Sequence, residues 1–229
     1  MILKRYKCTI SVMENVFVRG RRLGVMGGTF DPIHFGHLIA AERAGEELLL
    51  DQVLFIPAGT PPHKLTIAQA PPMDRYRMIE LAIASNDHYR LSDMEITRGG
   101  TSFTVDTLKV LLDMYKGAQL YFITGADAIL EIASWKAPGE IFKMCKFIAV
   151  SRPGYSLDGV WKVAGAFIED PEKSVIGLGI PGLDISSTEI RERVRRGKSV
   201  KYLLPDNVID FITERGLYRP NRPEEPYSV

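Results

Sequence analysis

The segment Gly27-Gly28-Thr29-Phe30-Asp31-Pro32-Ile33-His34-Phe35-Gly36-His37 concentrates residue types that handle phosphate. Residues 23–26 before it form a short apolar run that reads as a buried strand, and residues 36–50 after it have helical spacing, with Leu38, Ala41, Ala44, Leu48 and Leu49 on one face. Two adjacent glycines let a backbone pass close to a ligand. The helix start adds N–H groups without intrahelical acceptors and the positive end of the helix dipole. His34 and His37, three residues apart, share a face of that first turn. Two imidazoles there suit polyphosphate oxygens, and Gly36 between them leaves room for a flat base or a sugar. Other chemistries fail on spacing. The zinc motif H-E-x-x-H and the dinucleotide fingerprint G-x-G-x-x-G are absent. Gly197-Lys198-Ser199 ends like a P-loop, but Glu192 stands where its first glycine must be.

A second cluster is Ile185-Ser186-Ser187-Thr188-Glu189-Ile190-Arg191. Ser186 or Ser187 can cap a helix, and Glu189 follows Ser186 by three, as in a capping box. The Ser187 and Thr188 hydroxyls, the helix N–H groups and Arg191 can also cradle a phosphate. Residues 186–201 hold six cations and two acids. Arg191 is the one expected to do chemistry, the others to form a solvated face.

These clusters need a scaffold that brings them together. Apolar strand-like runs at 23–26, 52–56, 119–124 and 146–151 alternate with helical patterns at 36–50, 73–85, 103–116, 186–196 and 206–215. The five prolines of residues 57–72 make that stretch a long loop. The alternation predicts an α/β fold: a Rossmann-like, doubly wound parallel sheet with a small helical C-terminal subdomain at about residues 185–218. Ligands of such sheets bind beyond the carboxyl ends of strands, which places chemistry after Met26, Ile56, Thr124 and Ser151.

The chain has 229 residues, 45% hydrophobic and 25% charged, with net charge +1. A chain of this size can bury roughly 70% of its unfolded surface and needs no disulfide or metal to hold a core. Composition argues against a disordered or collagen-like chain, and the charge against a surface built for nucleic acid. Cys8 and Cys145 form no paired motif, and Cys145 is expected beside a buried strand. No apolar run approaches the roughly 18 residues of a membrane span, nor is there a signal-peptide core. A cytoplasmic location is expected. Residues 1–22 carry six Lys or Arg against one Glu, leaving a net acidic body. They read as a variable basic leader outside the core, with Met13 an alternative start. Residues 23–218 read as one domain and 219–229 as a tail. His88 reads as a loop residue.

The two clusters carry a resemblance. The sequence is similar to the nucleotidyltransferase superfamily marked by H-x-G-H and a late S-S-T-x-I-R. More narrowly it resembles the bacterial nicotinate-nucleotide adenylyltransferases. Four further segments support this: Gly59-Thr60-Pro61-Pro62-His63-Lys64, Thr101-Ser102-Phe103-Thr104-Val105-Asp106-Thr107-Leu108, Gly125-Ala126-Asp127 with Trp135 after it, and Ser151-Arg152-Pro153-Gly154-Tyr155. The similarity runs from about Leu23 to Tyr218. The related pantetheine-phosphate adenylyltransferases usually have Thr where His34 stands, and are shorter.

The resemblance implies adenylyl transfer from ATP to nicotinate mononucleotide, giving deamido-NAD and pyrophosphate, with Mg²⁺ held mainly by phosphates. It implies His37, His34 and Arg191 as catalytic residues, and Gly27, Gly28, Thr29, Phe30, His34, Gly36, His37, Ser187, Thr188 and Arg191 as the ATP site. It places the acceptor on His63, Lys64, Phe103, Thr104, Asp127, Trp135 and Arg152, with Trp135 stacking on the pyridine and Asp127 serving a ribose. Phe103 stands where many relatives have Tyr. The partners implied are these small molecules, not nucleic acid or membrane; a homo-oligomer is left open. Alternatives are a phosphopantetheine or nicotinamide mononucleotide acceptor, a non-catalytic nucleotide sensor, and a nucleic-acid-binding leader.

Overall fold

The computed structural model describes residues 20–61, 70–151, 156–180 and 185–219. Among these residues six strands form one sheet: β1 (Arg22–Gly28), β2 (Gln52–Pro57), β3 (Tyr89–Leu91), β4 (Gln119–Gly125), β5 (Cys145–Ser151) and β6 (Val175–Gly179). The helices are α1 (Phe35–Glu47), α2 (Pro72–Ile83), α3 (Met94–Arg98), α4 (Thr104–Met114), α5 (Ala126–Leu130), α6 (Pro138–Met144), α7 (Asp158–Ala164), α8 (Pro171–Ser174), α9 (Ser187–Arg195) and α10 (Asp206–Glu214). Every strand pairing is parallel, in the order β3-β2-β1-β4-β5-β6. The order reverses between β1 and β4, so the crevice for a ligand lies beyond the carboxyl ends of those two strands.

Each strand alternates between two apolar layers, because successive side chains leave a strand on opposite faces. Met26, Val53, Phe55, Tyr121, Ile123, Ile148 and Leu178 face one layer. Ala40, Ala41 and Ala44 of α1, Met78 and Ile79 of α2, Ile190 of α9, and Val208 and Ile212 of α10 cover it. Leu23, Val25, Leu54, Ile56, Leu120, Phe122, Phe147 and Ala149 face the other, covered by α3 to α7. The sheet is therefore buried on both faces, which is why its strands are near-continuous apolar runs. The C-terminal helices α9 and α10 share the apolar layer of α1 and α2.

Two details differ from the sequence reading. Helix α1 ends at Glu47, short of residue 50. Leu49 takes φ +48 and is 75% exposed, off the apolar face its spacing gave it. Residues 84–180 also hold more elements than periodicity showed. β3 has three residues, and α3 and α5 to α8 have four to seven each, too few turns to display a face. Cys145 is the first residue of β5, and burial pushes its thiol up to about 12, so it stays protonated and inert.

Gly24 on β1 shows how tightly the sheet is covered. A Cβ there would stand 2.9 Å from Leu50 Cδ1 and 3.1 Å from Val53 Cγ2, whereas a Cβ on Gly45 of α1 would meet nothing within 4 Å. Gly24→Ala should lower stability by about 1–3 kcal/mol through overpacking. Gly45→Ala should raise it by about 0.5–1 kcal/mol through helix propensity. Urea unfolding of both variants checks this.

Candidate active site

Two cavities flank the carboxyl ends of β1 and β4. The larger, of about 600 Å³, is lined by Gly28 at the end of β1, Thr29 and Phe30 after it, Phe103 and Thr104 at the start of α4, Trp135 and Lys136, and Ser187, Thr188 and Arg191 of α9. The smaller, of about 380 Å³, is lined by His34, Gly36 and Ala40 with Val150, Ser151, Ile180 and Ile185. Gly27, His37, Thr124 and Asp127 line both, so the cavities meet at these four residues.

The loop from β1 into α1 sets the histidines. Phe30 takes φ +50, a left-handed conformation that costs a bulky residue of order 1–2 kcal/mol. Its ring is held edge-on to His37 at 5.0 Å and against Phe55 at 5.9 Å. His34 is the N-cap of α1. Its backbone N–H donates to His37 Nδ1 at 3.3 Å, so the His37 proton sits on Nε2, as a donor. The two imidazoles stack at 3.8 Å between centroids. His34 is 6% exposed and its Nδ1 finds no hydrogen-bond partner. Burial brings its pKa down to about 4, which keeps it neutral at physiological pH. A Cβ on Gly36 would press that ring at 3.0 Å, so glycine here makes room for His34.

The S-S-T-x-I-R cluster is bonded to the same loop. Ser186 caps α9 by accepting from the Glu189 N–H at 3.1 Å. Ser187 Oγ donates to the Pro32 carbonyl at 2.9 Å. Arg191 donates to the Asp31 carbonyl at 2.7 Å and to Thr188 Oγ1 at 3.2 Å. Asp31, 3% exposed, accepts from the Tyr218 hydroxyl at 2.6 Å and the Ala70 N–H at 3.1 Å. The other cations of α9 make surface ion pairs: Arg193 with Glu189, and Arg195 and Arg196 with Glu192.

At the far end of the larger cavity, Trp135 stands edge-on to Phe122 and Phe147. Lys136 lies 4.6 Å over the Phe103 ring and bonds Asp106 at 3.0 Å. Thr104 opens α4, whose first amides have no intrahelical acceptor. Glu95, buried nearby, accepts from Thr107, and desolvation raises its pKa against the pull of the Thr107 and Ser102 hydrogen bonds. Asp127 is exposed and accepts from the Ala128 N–H at 2.9 Å.

The structure thus gathers Gly27, Gly28, Thr29, Phe30, His34, Gly36, His37, Phe103, Thr104, Asp127, Trp135, Ser187, Thr188 and Arg191 around two joined cavities. His63, Lys64 and Arg152 lie outside the described residues. Sequence reasoning gave no role to Asp31, Glu95 or Lys136, which line the larger cavity, or to Arg75 and Tyr218 beneath it. Asp31 lies inside the quoted motif and Lys136 beside Trp135, so both could have been found. Arg75 carries no local signal.

The cytidylyltransferase-like family model matches residues 25–193. A probable nicotinate-nucleotide adenylyltransferase from Desulfitobacterium hafniense strain Y51 is 45% identical over 90% of this chain and 99% of its own. One from Moorella thermoacetica is 46% identical over 90% of this chain and 95% of its own. Among solved structures, the Plasmodium falciparum nicotinic acid mononucleotide adenylyltransferase complexed with NaAD shares the fold. Its TM-score is 0.71 at 21% identity, over 86% of this chain and 97% of that one.

Burial of neutral His34 has a consequence for stability. The unfolded chain takes up a proton near pH 6.5, but the folded one only near 4, so stability falls as pH drops through that window. Relative to His34→Gln, the wild type should lose up to about 3 kcal/mol between pH 6.5 and 4. Urea unfolding of both proteins across that range reads the difference.

Proposed function

The chain belongs to the cytidylyltransferase-like family and, within it, to the nicotinate-nucleotide adenylyltransferases, and from that premise we propose that it transfers the adenylyl group of ATP to nicotinate mononucleotide. The products are deamido-NAD and pyrophosphate. The observation that carries this reading is the pair of cavities meeting at Gly27, His37, Thr124 and Asp127. Two nucleotides placed in them bring their phosphates together beside His37.

The smaller cavity, with Gly36 open toward it and apolar Val150, Ile180 and Ile185 around it, suits the adenosine. The larger takes the pyridine nucleotide, its ring beside Trp135 and its carboxylate at the first amides of α4 and the Lys136 ammonium. His37 Nε2 donates to the transferring phosphate. The Ser187 and Thr188 amides and Arg191 hold the outgoing pyrophosphate oxygens. The acceptor phosphate is already ionised near pH 7, so it attacks the α-phosphorus in line without a general base. The bond to the β-phosphate bridging oxygen breaks, and pyrophosphate leaves with that electron pair. The protein contributes positioning and charge stabilisation. His34, neutral and stacked, orients His37 without adding charge.

Mg²⁺ fits this site as a companion of ATP. Among the described residues, no group of three or more His, Cys, Asp or Glu could hold a metal ion. Its oxygens would come from phosphates and water, with Asp127 placed to add a carboxylate. When bound it neutralises phosphate charge.

Pyrophosphate release from ATP with nicotinate mononucleotide, measured beside nicotinamide mononucleotide, tests the reading. Turnover with the acid is expected, and none with either acceptor overturns it. His37→Ala should lower kcat by roughly 10²–10³-fold while leaving the fold intact, as loss of a donor to developing charge does elsewhere. Lys136→Met should raise KM for nicotinate mononucleotide roughly tenfold and leave the amide unaffected, the size of one charge-assisted hydrogen bond. An equal change for both acceptors would remove Lys136 from carboxylate recognition.

A further inference from the structure

Arg75 of α2 is among the largest fully buried side chains, at 1% exposure. Burial lowers its pKa and the charge of Asp31 opposes that, so the guanidinium stays a cation in the interior. A buried cation needs its donors satisfied. Arg75 meets this with three backbone carbonyls from three places. Nε donates to Ala70 at 3.1 Å, one terminal nitrogen to Thr29 at 2.8 Å, and the other to Gly59 at 3.1 Å. Thr29 is in the loop after β1, Gly59 follows β2, and Ala70 precedes Pro71, the N-cap of α2.

The Thr29 contact matters most. The Thr29–Phe30 peptide is trans, the cis bond of this loop being Asp31–Pro32. In a trans peptide the C=O and the following N–H point in opposite directions across one rigid plane. With the Thr29 carbonyl pinned to Arg75, the Phe30 N–H is turned away from Arg75. Thr29 and Phe30 line the larger cavity and Arg75 does not. Phe30, next to that anchored carbonyl, takes a left-handed φ of +50. A lysine could supply the charge that faces Asp31. It could not reach three divergent carbonyls, because it lacks the planar fork.

We infer that Arg75 is a positioning residue for adenylyl transfer: by fixing the Thr29–Phe30 peptide plane it aims the Phe30 N–H at the phosphates of ATP. It rests on the adenylyl-transfer reading for the identity of the phosphates. The competing role is purely structural, in which Arg75 fills the core and balances Asp31.

The test uses the full chain with Arg75→Lys and Arg75→Met, at a temperature where circular dichroism shows each variant folded. Two quantities are read: kcat with nicotinate mononucleotide, and the Kd of a non-hydrolysable ATP analogue by calorimetry. Arg75→Lys should lose roughly 10–100-fold in kcat and bind the analogue roughly 5–20-fold more weakly, as expected when one preorganised backbone donor loses its aim. Arg75→Lys within twofold of the wild type in both quantities overturns the inference, whether or not Arg75→Met folds. A wild type that binds the analogue but turns over neither pyridine mononucleotide overturns the acceptor reading instead. The Kd comparison then still decides Arg75.

Discussion

Ser187 donates to the Pro32 carbonyl and Arg191 to the Asp31 carbonyl, joining segments 155 and 160 residues apart in the chain. These bonds close the site. Without them the first turn of α9 and the loop into α1 would be two helix starts on one sheet edge, each a weak attractor of anions. Joined, they set one row of donors from His37 to Arg191 along the larger cavity. The same loop is held from below, where Asp31 accepts from Tyr218 and Ala70, and Arg75 grips Thr29. The loop is therefore fixed through the buried Asp31 side chain within it and through Arg75 at Thr29.

Charge is used locally rather than in bulk. The chain is nearly neutral overall, and most arginines of α9 are matched by glutamates on its surface. What lines the larger cavity is a short set of polar groups: Thr104 at the start of α4, Ser187 and Thr188 at the start of α9, Arg191, Lys136 and His37. Burial keeps His34 uncharged at physiological pH. His34 stacks on His37, whose Nδ1 accepts from the His34 backbone N–H.

Much of the scaffold was legible because it rests on long periodic segments. The buried strands and the helices α1, α2, α4, α9 and α10 announce themselves by apolar spacing. The segments 27–37 and 185–191, which the structure brings to one site, do so by residue types that have few other uses together. Short elements were not legible, since β3 and the helices between β4 and β6 make too few turns or pleats for a pattern. Leu49 misled because spacing cannot show that a helix has already ended. Arg75 is the deeper limit. An arginine on an amphipathic helix reads as solvent-facing, and only the fold reveals three carbonyls around it. Tyr218 and Asp31, 187 residues apart, are likewise paired by topology alone.

The central claim is that these residues position two nucleotides for one direct displacement, with no covalent adenylyl-enzyme. The configuration at the α-phosphorus tests it most directly. ATP carrying a single sulfur of known chirality at that position would be turned over with nicotinate mononucleotide, and the dinucleotide product's configuration determined by phosphorus NMR. A single in-line attack predicts inversion. Retention would require two displacements through an enzyme-bound adenylyl group, and would contradict the account.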